Sequence, residues 1–209
     1  MILWTFGDSF SCSLTLDHKW IKNYTDFKGY QPKIYSELIS DELGIELRNY
    51  AKTGDSNYGI FEEFLKHVED IKQDDVVIIQ FSSVYRYRLV NKNDEFESIA
   101  GHWNDQYKNF NESPLTIQEI GVNRLSKKYL NEIDNWIKIV KLLLPNNKIL
   151  FWSPFEETTG NANMLPFYQL TNITEETNNM VNDHHYGEIG HKHMADYIVL
   201  KLENKKNII

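Results

Sequence analysis

A chain of 209 residues with 41% hydrophobic and 13% aromatic content can bury one substantial core, which excludes a disordered chain and makes a single domain the default. The formal charge of −8 offers no field to attract nucleic-acid phosphates or anionic membranes, and the lone cysteine, Cys12, excludes an intrachain disulfide and a cysteine-held zinc. No apolar run approaches the ~20 residues of a membrane span, and the first apolar run is too short for a signal peptide, so a soluble chain made in the cytoplasm is expected.

The apolar run Ile2–Phe6 ends at Gly7, as a buried strand entering a tight turn does. Residues 30–43 predict a helix, with Pro32 in its first turn, Ile34 and Leu38 on one face, and Gly44 as its stop. Residues 45–50 alternate apolar with polar side chains and predict a second strand, followed by a loop over 51–57 and a helix over 58–71. Within 75–81, Val76, Val77, Ile78 and Ile79 follow one another, the pattern of a parallel strand covered on both faces.

Residues 84–125 lack periodicity and are too long for an ordinary connection, so they predict an insertion or lid. Over 126–144, Ile133, Ile137, Val140 and Leu144 share a helical face, and Lys148–Trp152 then supplies a fourth strand. The polar stretch 156–182 has short helical possibilities but no core face. After Gly187, Met194, Ile198 and Leu202 recur every four residues and mark a final amphipathic helix. Strands alternating with helices predict an α/β fold, a three-layer α/β/α sandwich around a mostly parallel sheet, as one domain over 1–209.

Active sites of open parallel sheets lie beyond the carboxyl ends of the strands. Ser9 follows the first strand and a glycine turn, where free backbone N–H groups can stabilise a developing oxyanion; an N-cap serine needs the same place. The segment Asp183-His184-His185-Tyr186-Gly187-Glu188-Ile189-Gly190-His191 offers an imidazole base with a carboxylate beside it, the pairing that activates a serine hydroxyl. A metal site or a plain polar loop is the alternative for this segment. The metal reading is weakened because His191 and His193, two residues apart in a helix, face different directions. Arg86, with Tyr85 and Tyr87 around it, and Trp103, with Tyr107, are candidates for substrate binding, beside the plainer readings of a solvated edge and of packing.

Gly7-Asp8-Ser9-Phe10, Gly54 after the second strand, and Asp183 with His185 before the last helix together resemble the SGNH (GDSL-type) hydrolases over nearly the whole chain. The resemblance implies a flavodoxin-like three-layer fold with Ser9 as nucleophile, His185 as base, Asp183 as its orienting carboxylate, and no metal or organic cofactor. It also implies that the N–H groups of Ser9 and Gly54 form two arms of an oxyanion hole, with Asp8 fixing the turn. The family's third donor, an asparagine in Gly-x-Asn-Asp after the third strand, has no match: Gln80-Phe81-Ser82-Ser83 stands there. Gln80, Ser82, Ser83 and Asn57 are the candidates to replace it. The acid and base are spaced Asp-x-His, as in the branch with polysaccharide O-acetyl transferases, and in an extended segment that spacing points Asp183 and His185 the same way. The implied function is an esterase or acyltransferase acting on small acyl groups, acetyl above all, of a small-molecule or carbohydrate ester. A non-catalytic binding module that retains the fold is the alternative.

Overall fold

The computed structural model describes residues 1–13, 19–84, 86–90, 96–100, 122–156, 163–165, 167 and 170–204. Its strands are β1 (Ile2–Phe6), β2 (Glu46–Asn49), β3 (Val76–Gln80), β4 (Arg86–Val90), β5 (Phe96–Ala100), β6 (Lys148–Trp152) and β7 (Met164–Leu165). Its helices are α1 (Lys19–Lys28), α2 (Tyr35–Leu43), α3 (Asn57–His67), α4 (Val122–Leu143), α5 (Ile173–Glu176) and α6 (Glu188–Asn204), with a short 3-10 turn at Val68–Asp70 after α3.

The core sheet runs β2-β1-β3-β6-β7 with every pairing parallel. Its central strand explains the layers. All five residues of β3 are buried, and because side chains alternate across a strand, Val77 and Ile79 enter one core while Val76 and Ile78 enter the other. The first core is closed by Ile60 and Phe64 of α3 and by Ile133, Ile137 and Val140 of α4. The second is closed by Tyr35 and Ile39 of α2 and by Met194, Ile198 and Leu202 of α6. Each fully buried aliphatic side chain contributes on the order of 1.5–3 kcal/mol, so these two facing stripes are what hold the helices on the sheet. The expected three-layer α/β/α sandwich is the one found. Among the described residues, no helix is long and apolar enough to cross a membrane.

Several elements differ from their sequence expectations. The helix expected from residue 30 begins at Tyr35: Pro32 lies ahead of it, and Ile34, with no side-chain acceptor, gives its N–H to the Glu37 carboxylate at 3.0 Å. Its end falls where expected, at Gly44, whose φ of 61° is the left-handed conformation of a helix stop. The helix expected from residue 126 begins four residues earlier, at Val122. Within the expected insertion, β4 and β5 pair antiparallel as a hairpin outside the main sheet. In the stretch without a core face, β7 pairs with β6 as the fifth strand, and Phe167, Ile173 and Val181 are buried.

Helix α1 has no counterpart among the expected elements, although Ile21 and Tyr24, three residues apart, share a buried face. Tyr24 donates its hydroxyl to Glu176 at 2.8 Å, and Lys28 reaches Glu176 at 2.5 Å and Glu188 at 2.7 Å. These polar contacts join α1 to α5 and to the first turn of α6, more than 140 residues away in the chain.

Candidate active site

Because β2 and β3 flank β1 on opposite sides, the chain leaves β1 at the point where the strand order reverses, the place where open α/β sheets form a ligand crevice beyond their carboxyl ends. Gly7, Asp8 and Ser9 occupy it. A Cβ on Gly7 would stand 2.5 Å from Gln80 Oε1 and 2.9 Å from Ser11 Cβ, so only glycine lets the chain pass. Asp8 then builds the turn. Its carbonyl accepts the N–H groups of Ser11 and Cys12 at 3.0 Å, and its own N–H reaches Gln80 Oε1 at 2.7 Å. Its carboxylate, 0% exposed, accepts from Phe10 N at 3.0 Å, Ser82 Oγ at 2.6 Å and Arg86 Nη1 at 3.0 Å. Five donors and one acceptor around this buried residue hold Ser9 in place without engaging its hydroxyl.

The structure brings Ser9, His185 and Asp183 together. Ser9 Oγ lies 2.7 Å from His185 Nε2, and His185 Nδ1 lies 2.7 Å from Asp183 Oδ1. The same carboxylate oxygen accepts the backbone N–H of His185 at 2.7 Å, so ring and backbone are pinned by one atom. With the Nδ1 proton directed at the carboxylate, Nε2 is left to accept the Ser9 proton.

What makes this segment extended is a latch that sequence reasoning missed. Thr174 Oγ1 accepts the Asp183 N–H at 2.7 Å and donates to the Asp183 carbonyl at 2.7 Å, and the Thr174 N–H reaches that carbonyl at 2.9 Å. Ile173 N donates to the His185 carbonyl at 2.8 Å, and Asn172 pairs with Tyr186 as an isolated bridge. Held this way, residues 183 and 185 share a side while His184 turns outward to line a cleft. That cleft, of about 590 Å³, also presents Phe10, Phe155, Tyr186, Asn172 and Glu175. Phe10 joins it to the serine site, its ring centroid 4.6 Å from that of His185 and 5.7 Å from that of Phe155.

The loop bearing Gly54 is tied to the turn before Ser9 by Lys52 N, which donates to the Gly7 carbonyl at 2.9 Å. Gly54 has φ of +80° and open space where a Cβ would stand, so glycine is needed for its conformation rather than for room. Three of the residues expected as substitute donors, Asn57, Gln80 and Ser82, give their donor groups to protein partners. Asn57 Nδ2 donates to the carbonyls of Ser82 at 2.9 Å and Ser83 at 3.5 Å, while its Oδ1 accepts the Ser82 N–H at 2.6 Å. Gln80 Nε2 donates to the Phe81 carbonyl at 3.0 Å, and the Ser82 hydroxyl is given to Asp8. Ser83 accepts the Arg86 N–H on its carbonyl at 3.1 Å. Arg86 is engaged with the Asp8 carboxylate rather than standing alone above the site. Trp103, Tyr85 and Tyr107 lie outside the described residues.

Behind His185, His191 is only 3% exposed, between Tyr35 and Tyr186, whereas His193 faces solvent on the same helix. Its Nδ1 is buried and, among the described residues, has no hydrogen-bond partner. Burial first, and the nearby His185 second, push its pKa from 6.5 down to about 3. Between those values the unfolded chain binds a proton that the folded chain refuses, so stability falls as pH drops below about 6.5 and the fall ends near 3. From pH 7 to 5 this single group should remove about 2 kcal/mol of stability. Urea unfolding at both pH values should show His191→Gln lacking that part of the slope; an unchanged slope would assign it to other groups.

The sequence matches no protein-family model and no curated protein. Among solved structures, an acetyl xylan esterase from the rumen bacterium Butyrivibrio proteoclasticus superposes with a TM-score of 0.52 at 13% identity, covering 99% of this chain and 64% of that one. A family two carbohydrate esterase from Clostridium thermocellum, solved with cellohexaose, gives a TM-score of 0.52 at 14% identity, covering 100% of this chain and 65% of that one. This chain has the fold of these two esterases. It spans just under two thirds of the length of either esterase. Within that fold, the crevice at the end of β1 is the place where Ser9 and His185 meet.

Proposed function

We propose that this chain is a serine esterase in which Ser9 is the nucleophile, His185 the general base and Asp183 the carboxylate that orients it. One observation carries the reading: the unbroken relay of 2.7 Å contacts from Ser9 Oγ through both ring nitrogens of His185 to Asp183. In that relay Ser9 Oγ attacks the ester carbonyl carbon while its proton passes to His185 Nε2, and Asp183 stabilises the imidazolium so formed. The carbonyl oxygen takes up the negative charge in front of the N–H groups of Ser9 and Gly54. Collapse breaks the bond to the alcohol, which leaves with the proton from Nε2, and an acyl group remains on Ser9. Water then gives hydrolysis, and an acceptor alcohol gives transfer.

Because the leaving alcohol receives its proton from His185, it must sit on the His185 side of the site, and the cleft there is lined by Phe10, Phe155 and Tyr186 with the amide of Asn172 and the carboxylate of Glu175. Aromatic faces with a few hydrogen-bonding groups suit a hydroxylated ring. The two esterases of the same fold act on or bind carbohydrate, and this supports an acetylated carbohydrate as the substrate class.

The test is covalent labelling. A fluorophosphonate should phosphonylate Ser9, releasing fluoride, and peptide mapping should find the added mass on Ser9 alone. A chain that neither takes the label nor turns over p-nitrophenyl acetate is instead a non-catalytic binding module with this fold.

A further inference from the structure

The two N–H groups of the proposed oxyanion hole belong to different loops, Ser9 after β1 and Gly54 after β2. For both to meet one oxygen atom, the loops must keep their separation to within about 0.5 Å, and an error near 1 Å can cost about a hundredfold in rate. At their base the loops are joined by the Lys52 N–H to the Gly7 carbonyl at 2.9 Å. At their mouth they are joined by a single side-chain nitrogen. Arg86 Nη1 lies 3.0 Å from Asp8 Oδ2 and 3.3 Å from the Asp55 carbonyl oxygen. Asp8 immediately precedes Ser9, and Asp55 immediately follows Gly54.

We propose that Arg86 is a positioning residue that clamps the two oxyanion-donating loops at a fixed separation, the link being Asp8–Arg86–Asp55. The clamp rests on the esterase reading above. The Asp8 carboxylate is wholly buried, and Arg86, with a side chain 19% exposed, is the charged partner that neutralises it. The start of β4 is held by the Arg86 N–H on the Ser83 carbonyl, and Ser83 is tied through Asn57 to α3, whose first residue is that asparagine. The guanidinium is therefore fixed from its backbone outward, and a planar group with several donors can serve a carboxylate and a carbonyl together. The groups around it have other work: Asn57 and Gln80 bond to backbone, and the Ser82 hydroxyl to Asp8.

A clamp of this kind acts on the transition state and leaves ground-state binding alone, so its loss should fall on kcat. With p-nitrophenyl acetate, Arg86→Ala should lower kcat about a hundredfold with KM within about threefold of wild type. The affinity of a boronic acid, which forms a tetrahedral adduct on Ser9, should fall in parallel with kcat/KM. Added guanidinium ion should restore part of the Arg86→Ala rate and none of the wild-type rate. Arg86→Lys, which keeps the charge but not the planar fork, should fold and lose about tenfold in kcat, and it carries the test if the alanine variant does not fold. Ser82→Ala removes a different partner of Asp8 without touching Asp55, and should cost no more than about fivefold.

A rise in KM at unchanged kcat would make Arg86 a substrate-binding residue and overturn the clamp. So would a lysine variant equal to wild type, or a Ser82→Ala loss as large as that of Arg86→Ala, since neutralising Asp8 would then be the whole effect. Those results leave the esterase reading standing. A wild-type chain without label or turnover removes both.

Discussion

Ser9→Ala should lower the kcat for p-nitrophenyl acetate on the order of 10⁴-fold or more while leaving the fold intact. Ser9 is buried at 7% exposure, yet its hydroxyl is bonded to His185 and the turn around it is built by Asp8, Gln80, Ser82 and Arg86. Removing one oxygen therefore subtracts the attacking atom and one hydrogen bond, and urea unfolding should move by no more than about 1 kcal/mol. Residual turnover above the uncatalysed rate would come from the Ser9 and Gly54 N–H groups, which the alanine variant keeps. A Ser9→Ala chain as active as wild type would end the nucleophile assignment.

His185→Ala should cost a similar factor, because a serine hydroxyl without a base is a poor nucleophile near neutral pH. The decisive comparison is the double variant. Ser9 and His185 act as one unit through the 2.7 Å contact between them, so Ser9→Ala with His185→Ala should be no slower than either single change. Losses that multiplied would mean two groups acting in separate steps and would break the relay into independent parts. Stability should respond more than for Ser9, since the imidazole also packs against Phe10 and anchors on Asp183, and a shift of about 1–2 kcal/mol is expected. Circular dichroism and urea unfolding of each variant separate a lost reaction from a lost fold.

The three residues of the relay were legible in the sequence through their resemblance to the SGNH motifs, with which their local setting agrees. Ser9 stands just past an apolar strand and a glycine, and Asp183 and His185 stand two apart in a segment whose extension points them the same way. Thr174, which enforces that extension, was not legible, because it lies nine residues away in a polar stretch without periodicity. Asn57, Gln80 and Ser82 were legible as polar groups in the right place, but not by role. The partners that define their work, Ser82 for Asn57 and Asp8 for Gln80 and Ser82, are 25 to 74 residues distant.

By itself the sequence determined the parallel sheet and its cover. Consecutive apolar residues in Ile2–Phe6, Val76–Gln80 and Lys148–Trp152, and stripes such as Met194, Ile198 and Leu202, leave one way to bury both faces. The tertiary structure alone decided the two-residue strand β7, the Thr174 latch and the Arg86 bridge. The physical difference is one of range. Burial of a repeating face writes a period into the neighbouring residues, whereas a hydrogen bond such as Arg86 to Asp8, across 78 residues, exists only after the sheet has brought its two ends together.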